Sequence, residues 1–168
     1  MLMATNLYDE AIPTFIRFLG NFKSILKKAQ QHALDHKYDE AALLSDRLYP
    51  DMFPMSRQVQ IACDGAKGAA ARLAGVEIPK HADTETTFEE LVARIDKTLA
   101  FIEGIPAAAF EGSGERQVVL AFGDWRREFT GVEFLRTWAL PNFYFHITTA
   151  YGLLRHNGVP VGKMEYLA

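Results

Sequence analysis

The residue best suited to chemistry is His146, an ionisable side chain set in the apolar run Phe143-Tyr144-Phe145-His146-Ile147. An imidazole titrates near pH 6.5, where a general base works best, and its neutral form ligates metals. The same group in such a run also reads as a neutral core histidine bonded to Gln58, a tyrosine or a backbone carbonyl, because buried polar groups find partners. Gln58, Asn142 and Tyr151 are its candidate companions around a ligand pocket, with Asp64 a further one. Tyr151 follows His146 by five residues, about 140° around a helix, and Asp64 follows Gln58 by six, about 240° round, so neither shares its neighbour's face.

Three other groups have the right types. His32 and His36 are four apart, a spacing that can bring two imidazoles to one metal. They stand at a polar helix end beside Lys37, where cations also favour the macrodipole. Cys63 has no thiolate-stabilising motif around it and lies among small residues, so it reads as a buried structural thiol. Arg126, Arg127 and Arg136 with Trp125 and Trp138 could stack bases and hold phosphates. Glu128 and Glu133 interrupt that charge, and the pattern reads as a salt-bridged surface.

The elements that must position these groups follow from length and periodicity. A chain of 168 residues, 49% hydrophobic and 12% aromatic, is long enough for one domain (residues 1–168) with its own core. A net charge of −3 offers no electrostatic footprint for nucleic acid. One cysteine cannot form an intrachain disulfide, and the N-terminus lacks the pattern of a signal peptide. No apolar run approaches the ~20 residues of a membrane span. The expectation is a soluble cytoplasmic protein that binds neither nucleic acid nor membrane.

Asn6 is positioned to cap a first helix whose seam is Tyr8, Ile12, Phe15, Leu19, Phe22, Leu26, Ala29 and Ala33, ending near residues 35–37. Pro13 should kink this helix or mark its start. Tyr49-Pro50 and Phe53-Pro54 predict a loop over 38–54 with one short turn at 41–44. Pro54 then fits the first turn of a second helix, with Met55, Val59, Ala62, Ala66 and Leu73 on its seam and Gly75 as a left-handed cap. Gly65 and Gly68 within it predict a close approach by a neighbouring backbone, since each costs about 1 kcal/mol of helix propensity. Thr86 and Glu89 make a capping-box pattern for a third helix, with Phe88, Val92, Ile95, Leu99 and Ile102 inward and Glu89, Glu90, Arg94 and Lys97 outward. Residues 117–122 and 125–129 around Gly123-Asp124 predict a hairpin that must lean on the helices. Residues 131–140 predict a turn or two of helix before a final helix opened by Pro141 and capped by Gly158. Lys163, Arg155 and Tyr166 follow, placed to fold back on the bundle or meet a second subunit. The fold class is mainly all-α: four helices, with a short β-hairpin between the third and fourth.

Two stretches carry a family resemblance. One is Leu48-Tyr49-Pro50-Asp51-Met52-Phe53-Pro54 with Gln58 and residues 69–75. The other is Ala139-Leu140-Pro141-Asn142-Phe143-Tyr144-Phe145-His146, Thr149-Ala150-Tyr151, Leu154-Arg155-His156-Asn157-Gly158-Val159 and Gly162-Lys163. The chain resembles an uncharacterised bacterial domain-of-unknown-function family within the DinB/YfiT-like four-helix-bundle superfamily. The resemblance implies a bundle that is often a homodimer. In many relatives it also implies a divalent metal held by three histidines, one at the start of helix two and a pair four apart on helix four, serving hydrolysis or thiol-dependent transfer. Here the helix-two position falls near Gln58, and the partner of His146 is Ala150, so one histidine of three is present. That donor set suits zinc or nickel poorly.

The expectation is therefore a DinB-like homodimer that binds a small, mostly apolar molecule near Gln58, Asn142, His146 and Tyr151, with no tightly bound metal and at most a weakly held divalent ion at His146. The rival readings are a metal-assisted hydrolase or thiol transferase using His146, and a dimeric interaction module.

Overall fold

The computed structural model describes residues 6–168. Four long helices form the bundle: α1 (Leu7–His36), α3 (Met55–Ala74), α4 (Phe88–Glu103) and α6 (Leu140–His156). A short α2 (Glu40–Ser45) interrupts the first connection, as the lone predicted turn there requires. A 3₁₀ turn (Ala107–Phe110) and a two-stranded antiparallel hairpin, β1 (Val118–Phe122) and β2 (Trp125–Phe129), follow α4. A short α5 (Gly131–Glu133) leads towards α6, and α7 (Lys163–Leu167) closes the chain. The architecture is that of a mainly helical bundle with one late hairpin.

Local chemistry sets the ends. The Asn6 side chain accepts from the Tyr8 amide at 3.0 Å, and Lys37 (φ 56°) and Gly75 (φ 69°) take left-handed conformations after α1 and α3. The α1 seam residues from Ile12 to Ala33 are buried, and Phe15 meets Phe143 of α6 edge-on at 5.0 Å, joining the two helices through the core. Pro13 does not start α1. It stands on the exposed face inside it, where water can bond the carbonyl that loses its donor. Pro54 lies at the N-cap of α3, one residue before the first turn.

The capping box of α4 is one residue later than its sequence pattern suggests. Thr87 and Glu90 exchange bonds, and Glu90 Oε2 also accepts from Thr86, so one carboxylate holds both threonines. Arg94, expected on the outer face, is 3% exposed. Residues 82–85 fold back over α4 and turn that face into an interior one.

The hairpin register pairs Phe122 with Trp125 across Gly123-Asp124, with Gly123 at φ 58° supplying the positive φ of a two-residue loop. Val118, Leu120 and Phe129 are buried against the helices, as a lone hairpin needs. At Gly131 any Cβ would overlap the Ser113 carbonyl oxygen, so only glycine permits this return of the chain.

Pro141 stands in the first turn of α6, as expected, but the helical backbone does not begin there. Helical backbone begins at Gly131 and widens into a π-type stretch over Phe134–Ala139 before α6. Pro141 lacks an amide donor, and its ring would crowd the carbonyl four residues back, so a widened turn ahead of it keeps the helix continuous. Gly158 (φ 84°) then turns the chain after α6. The tail folds back on α1: Asn21 bonds the Tyr166 carbonyl at 3.1 Å, and Lys28 pairs with Glu165 at 2.8 Å. Among the described residues, no helix is long and apolar enough to cross a membrane.

Candidate functional site

His146 projects from α6 towards the start of α3, 8% exposed, with its Nδ1 2.7 Å from Gln58 Oε1. The Gln58 amide nitrogen donates to the Phe53 carbonyl at 2.9 Å, which turns the amide oxygen towards the imidazole. An oxygen can only accept, so Nδ1 carries the proton, and in the neutral ring the lone pair is then on Nε2. Burial, and then the nearby Arg57 guanidinium, hold this histidine below its ordinary pKa. The residue one turn on, Ala150, offers a buried methyl group. A cation here would meet one imidazole nitrogen and an amide whose oxygen already accepts a bond. These residues do not fit zinc or nickel. Among the described residues, no three of His, Cys, Asp and Glu come together as a metal cluster.

The other sequence candidates scatter. Tyr151 packs against Tyr166, ring centroids 5.8 Å apart, on the α7 side of the helix. The His32 and His36 rings lie 4.2 Å apart, tilted by 40°, at the end of α1, and His36 Nδ1 contacts the His32 carbonyl at 2.9 Å. Cys63 is fully buried, and its thiol is pushed up to about 12, chiefly by burial, so it is no nucleophile at neutral pH. Arg126 pairs with Glu128, Arg136 with Glu10, and Arg127 lies over the Phe129 ring, as a salt-bridged surface would.

The cavity lies elsewhere. A groove of about 660 Å³ runs along the outer face of α3, between residues 78–81 on one side and the hairpin, the π stretch and the start of α6 on the other. Of the five pocket candidates, Asp64 and Asn142 line it, while Gln58, His146 and Tyr151 lie off it. Its apolar walls come from Ile61, Ile78, Leu120, Phe122, Phe134 and Trp138. Along α3 its floor is Arg57, Asp64, Gly65, Gly68 and Arg72, residues at helical spacing on one stripe. The two glycines do not admit a neighbouring backbone. A Cβ on Gly65 would meet only Asn142 Nδ2 at 3.8 Å, and one on Gly68 would collide with Arg72 Nη1 at 2.6 Å. Their missing side chains are the groove floor and the seat of a guanidinium.

Charges around the groove are mostly paired. Asp64 accepts from the buried Lys67 at 2.8 Å and stands 3.0 Å from Arg94 Nη2. Arg94 also pairs with Glu85 at 2.9 Å and Asp83 at 3.0 Å, and it donates to the Ala82 carbonyl at 2.9 Å. Arg57 pairs with Asp83. His81, on the groove wall, has a buried Nδ1 with no partner among the described residues, and burial with Lys67, Lys97 and Arg94 nearby lowers its pKa. Sequence reading reached only Asp64 and Asn142 of this site, because a charged stripe opposite an apolar seam normally faces water. The available signal was Ile61 and two glycines on that supposedly solvated stripe.

The family model described as "Domain of unknown function (DUF1993)" matches residues 7–167. Among solved structures, the crystal structure of a DinB family member protein from Shewanella denitrificans at 1.83 Å is similar to the chain, with 46% identity and a TM-score of 0.89. That match covers 96% of this chain and 92% of the other. No curated protein matches.

Proposed function

The chain belongs to the DUF1993 family and has a DinB-like fold, and from that premise we propose that it binds a small, mostly apolar molecule in the groove over α3. The observation that carries this reading is the groove itself: about 660 Å³, within the range of small-molecule sites, with aromatic and aliphatic walls and a few polar groups. Hydrolysis or thiol transfer through His146 is not part of the proposal, since its imidazole lies off the groove and its Nδ1 is committed to Gln58.

The test uses the neutral dye 1-N-phenylnaphthylamine, whose emission rises in apolar sites. Saturable binding at micromolar dye is expected for the native protein. It should be lost in Gly65→Leu, which fills the floor and relieves about 1 kcal/mol of glycine's helix penalty, so that folding is retained. Absence of saturable binding, or binding unchanged in a folded Gly65→Leu protein, overturns the reading.

A homodimer is the second part of the proposal, supported by exposed apolar side chains on one region of the surface: Leu48 (67% exposed), Tyr49 (65%) and Phe145 (55%). Leu48 and Phe145 share a shallow depression on the outside of α6 with Tyr144 and Leu153.

A further inference from the structure

We propose that the molecule held in the α3 groove is an amphipathic carboxylate whose anionic group is bound by Arg72, with its apolar body against Leu120, Phe122, Phe134 and Trp138. The inference rests on the groove being a ligand site and adds the class of ligand. It starts from a charge count. Lys67 and Arg57, on the same groove, have carboxylate partners in Asp64 and Asp83. Lys80 is exposed to water. Arg72 is half-buried, and among the described residues its one partner is the Gly68 carbonyl, 3.0 Å from Nη1, with no carboxylate in reach.

A half-buried charge without a counter-charge is unfavourable, and burial holds the Arg72 guanidinium below the usual arginine range. The seat is nevertheless built for it, since Gly68 leaves open the space a Cβ would take from Nη1. A glycine inside a helix costs about 1 kcal/mol, so this position trades helix propensity for a guanidinium laid on the groove floor. Guanidinium recognises carboxylate and phosphate groups through paired N–H donors. One unpaired half-buried cation balances one negative charge, which favours a carboxylate over a dianionic phosphate. Burial, and then Lys67, Lys97 and Arg94, lower the pKa of His81 beside the groove, which disfavours a second cation there.

The experiment compares 4-butylbenzoate with its neutral counterpart 4-butylbenzamide, each displacing the naphthylamine dye, with calorimetry to confirm affinity. Native protein should prefer the carboxylate by about ten-fold or more, the scale of one charge-assisted hydrogen bond. Arg72→Met should abolish that preference, the two probes then binding alike, while Arg72→Lys should retain part of it. Gly68→Ala, which displaces the guanidinium without removing it, should also weaken the carboxylate alone. Equal binding of the two probes by native protein overturns the carboxylate inference and leaves the groove reading standing. A preference that survives in Arg72→Met overturns the assignment to Arg72. If 4-butylphenyl phosphate binds tighter than the benzoate, the ligand class is wrong. If dye and both probes fail to bind, the groove reading and this inference fall together.

Discussion

At the scale of single residues, the His146–Gln58–Phe53 relay is a satisfied chain: imidazole N–H to amide oxygen, amide N–H to backbone carbonyl. Such a chain is costly to break, because truncating one member leaves another buried and unpaired. His146→Ala should lose about 2–3 kcal/mol of stability at pH 7.5, from the orphaned Gln58 oxygen and the space left behind, as measured by urea denaturation. The pH dependence follows from the direction of the shift. Burial lowers the folded-state pKa of His146, and of His81, below the unfolded value near 6.5. The unfolded chain therefore takes up protons first as pH falls. The stability these histidines confer is complete above pH 6.5 and is lost as pH drops through their folded values. Melting temperature should fall on acidification below about pH 6.5, and the slope should be shallower in His146→Ala, which keeps only the His81 contribution. An equal slope in the variant would remove His146 from the account.

At the scale of elements, α3 does two jobs on two faces. Its alanine-rich seam packs on α4 and α6, and its opposite stripe floors the groove. That second face is interior because residues 78–86 are clasped over it. Arg94 of α4 holds Ala82, Asp83 and Glu85, while Gln60 of α3 reaches Glu85 at 3.0 Å. Breaking a buried ion pair leaves uncompensated charge, although Asp64 and Asp83 here are more than a third exposed and solvent screens them. Arg94→Met should destabilise by about 2–3 kcal/mol, with amide hydrogen exchange accelerating chiefly over residues 78–86. Exchange that rises evenly across the whole chain would mean that Arg94 supports the core and not the clasp. The π stretch belongs to this scale too. It carries Phe134, Trp138 and Ala139 into the groove wall, so the same local widening that accommodates Pro141 also shapes the site.

At the scale of the molecule, helices, hairpin and tail close on one core, and the apolar side chains left outside include Leu48, Tyr49, Phe53 and Phe145, of which Leu48 and Phe145 line one depression. A patch of this kind on a protein of modest net charge favours self-association. Sedimentation equilibrium should report a dimer for the native chain and a monomer for Leu48→Glu/Phe145→Glu, which buries two charges in the proposed contact. A native monomer at tens of micromolar would refute the pairing. Dye binding should survive in the double variant, because neither residue lines the α3 groove.

The sequence by itself determined what depends on near neighbours along the chain. Helix periodicity, the Asn6 and Gly75 caps, the Gly123-Asp124 loop and the hairpin between the third and fourth long helices are all set by residues a few positions apart. The family was legible as a resemblance carried by the stretches around Pro54 and Pro141, and the family match over residues 7–167 bears it out. Only the tertiary structure decided which faces are inside. Arg94 looks like a solvated residue until residues 82–85 fold across it, because a charge reads as buried only when its distant counter-charges are in place. His146 was legible as a buried polar group, and Gln58 as one of its candidate partners. The groove was not legible: its floor, walls and rim come from segments up to about eighty residues apart, and Gly68 makes sense only once the Arg72 guanidinium lies where its Cβ would be.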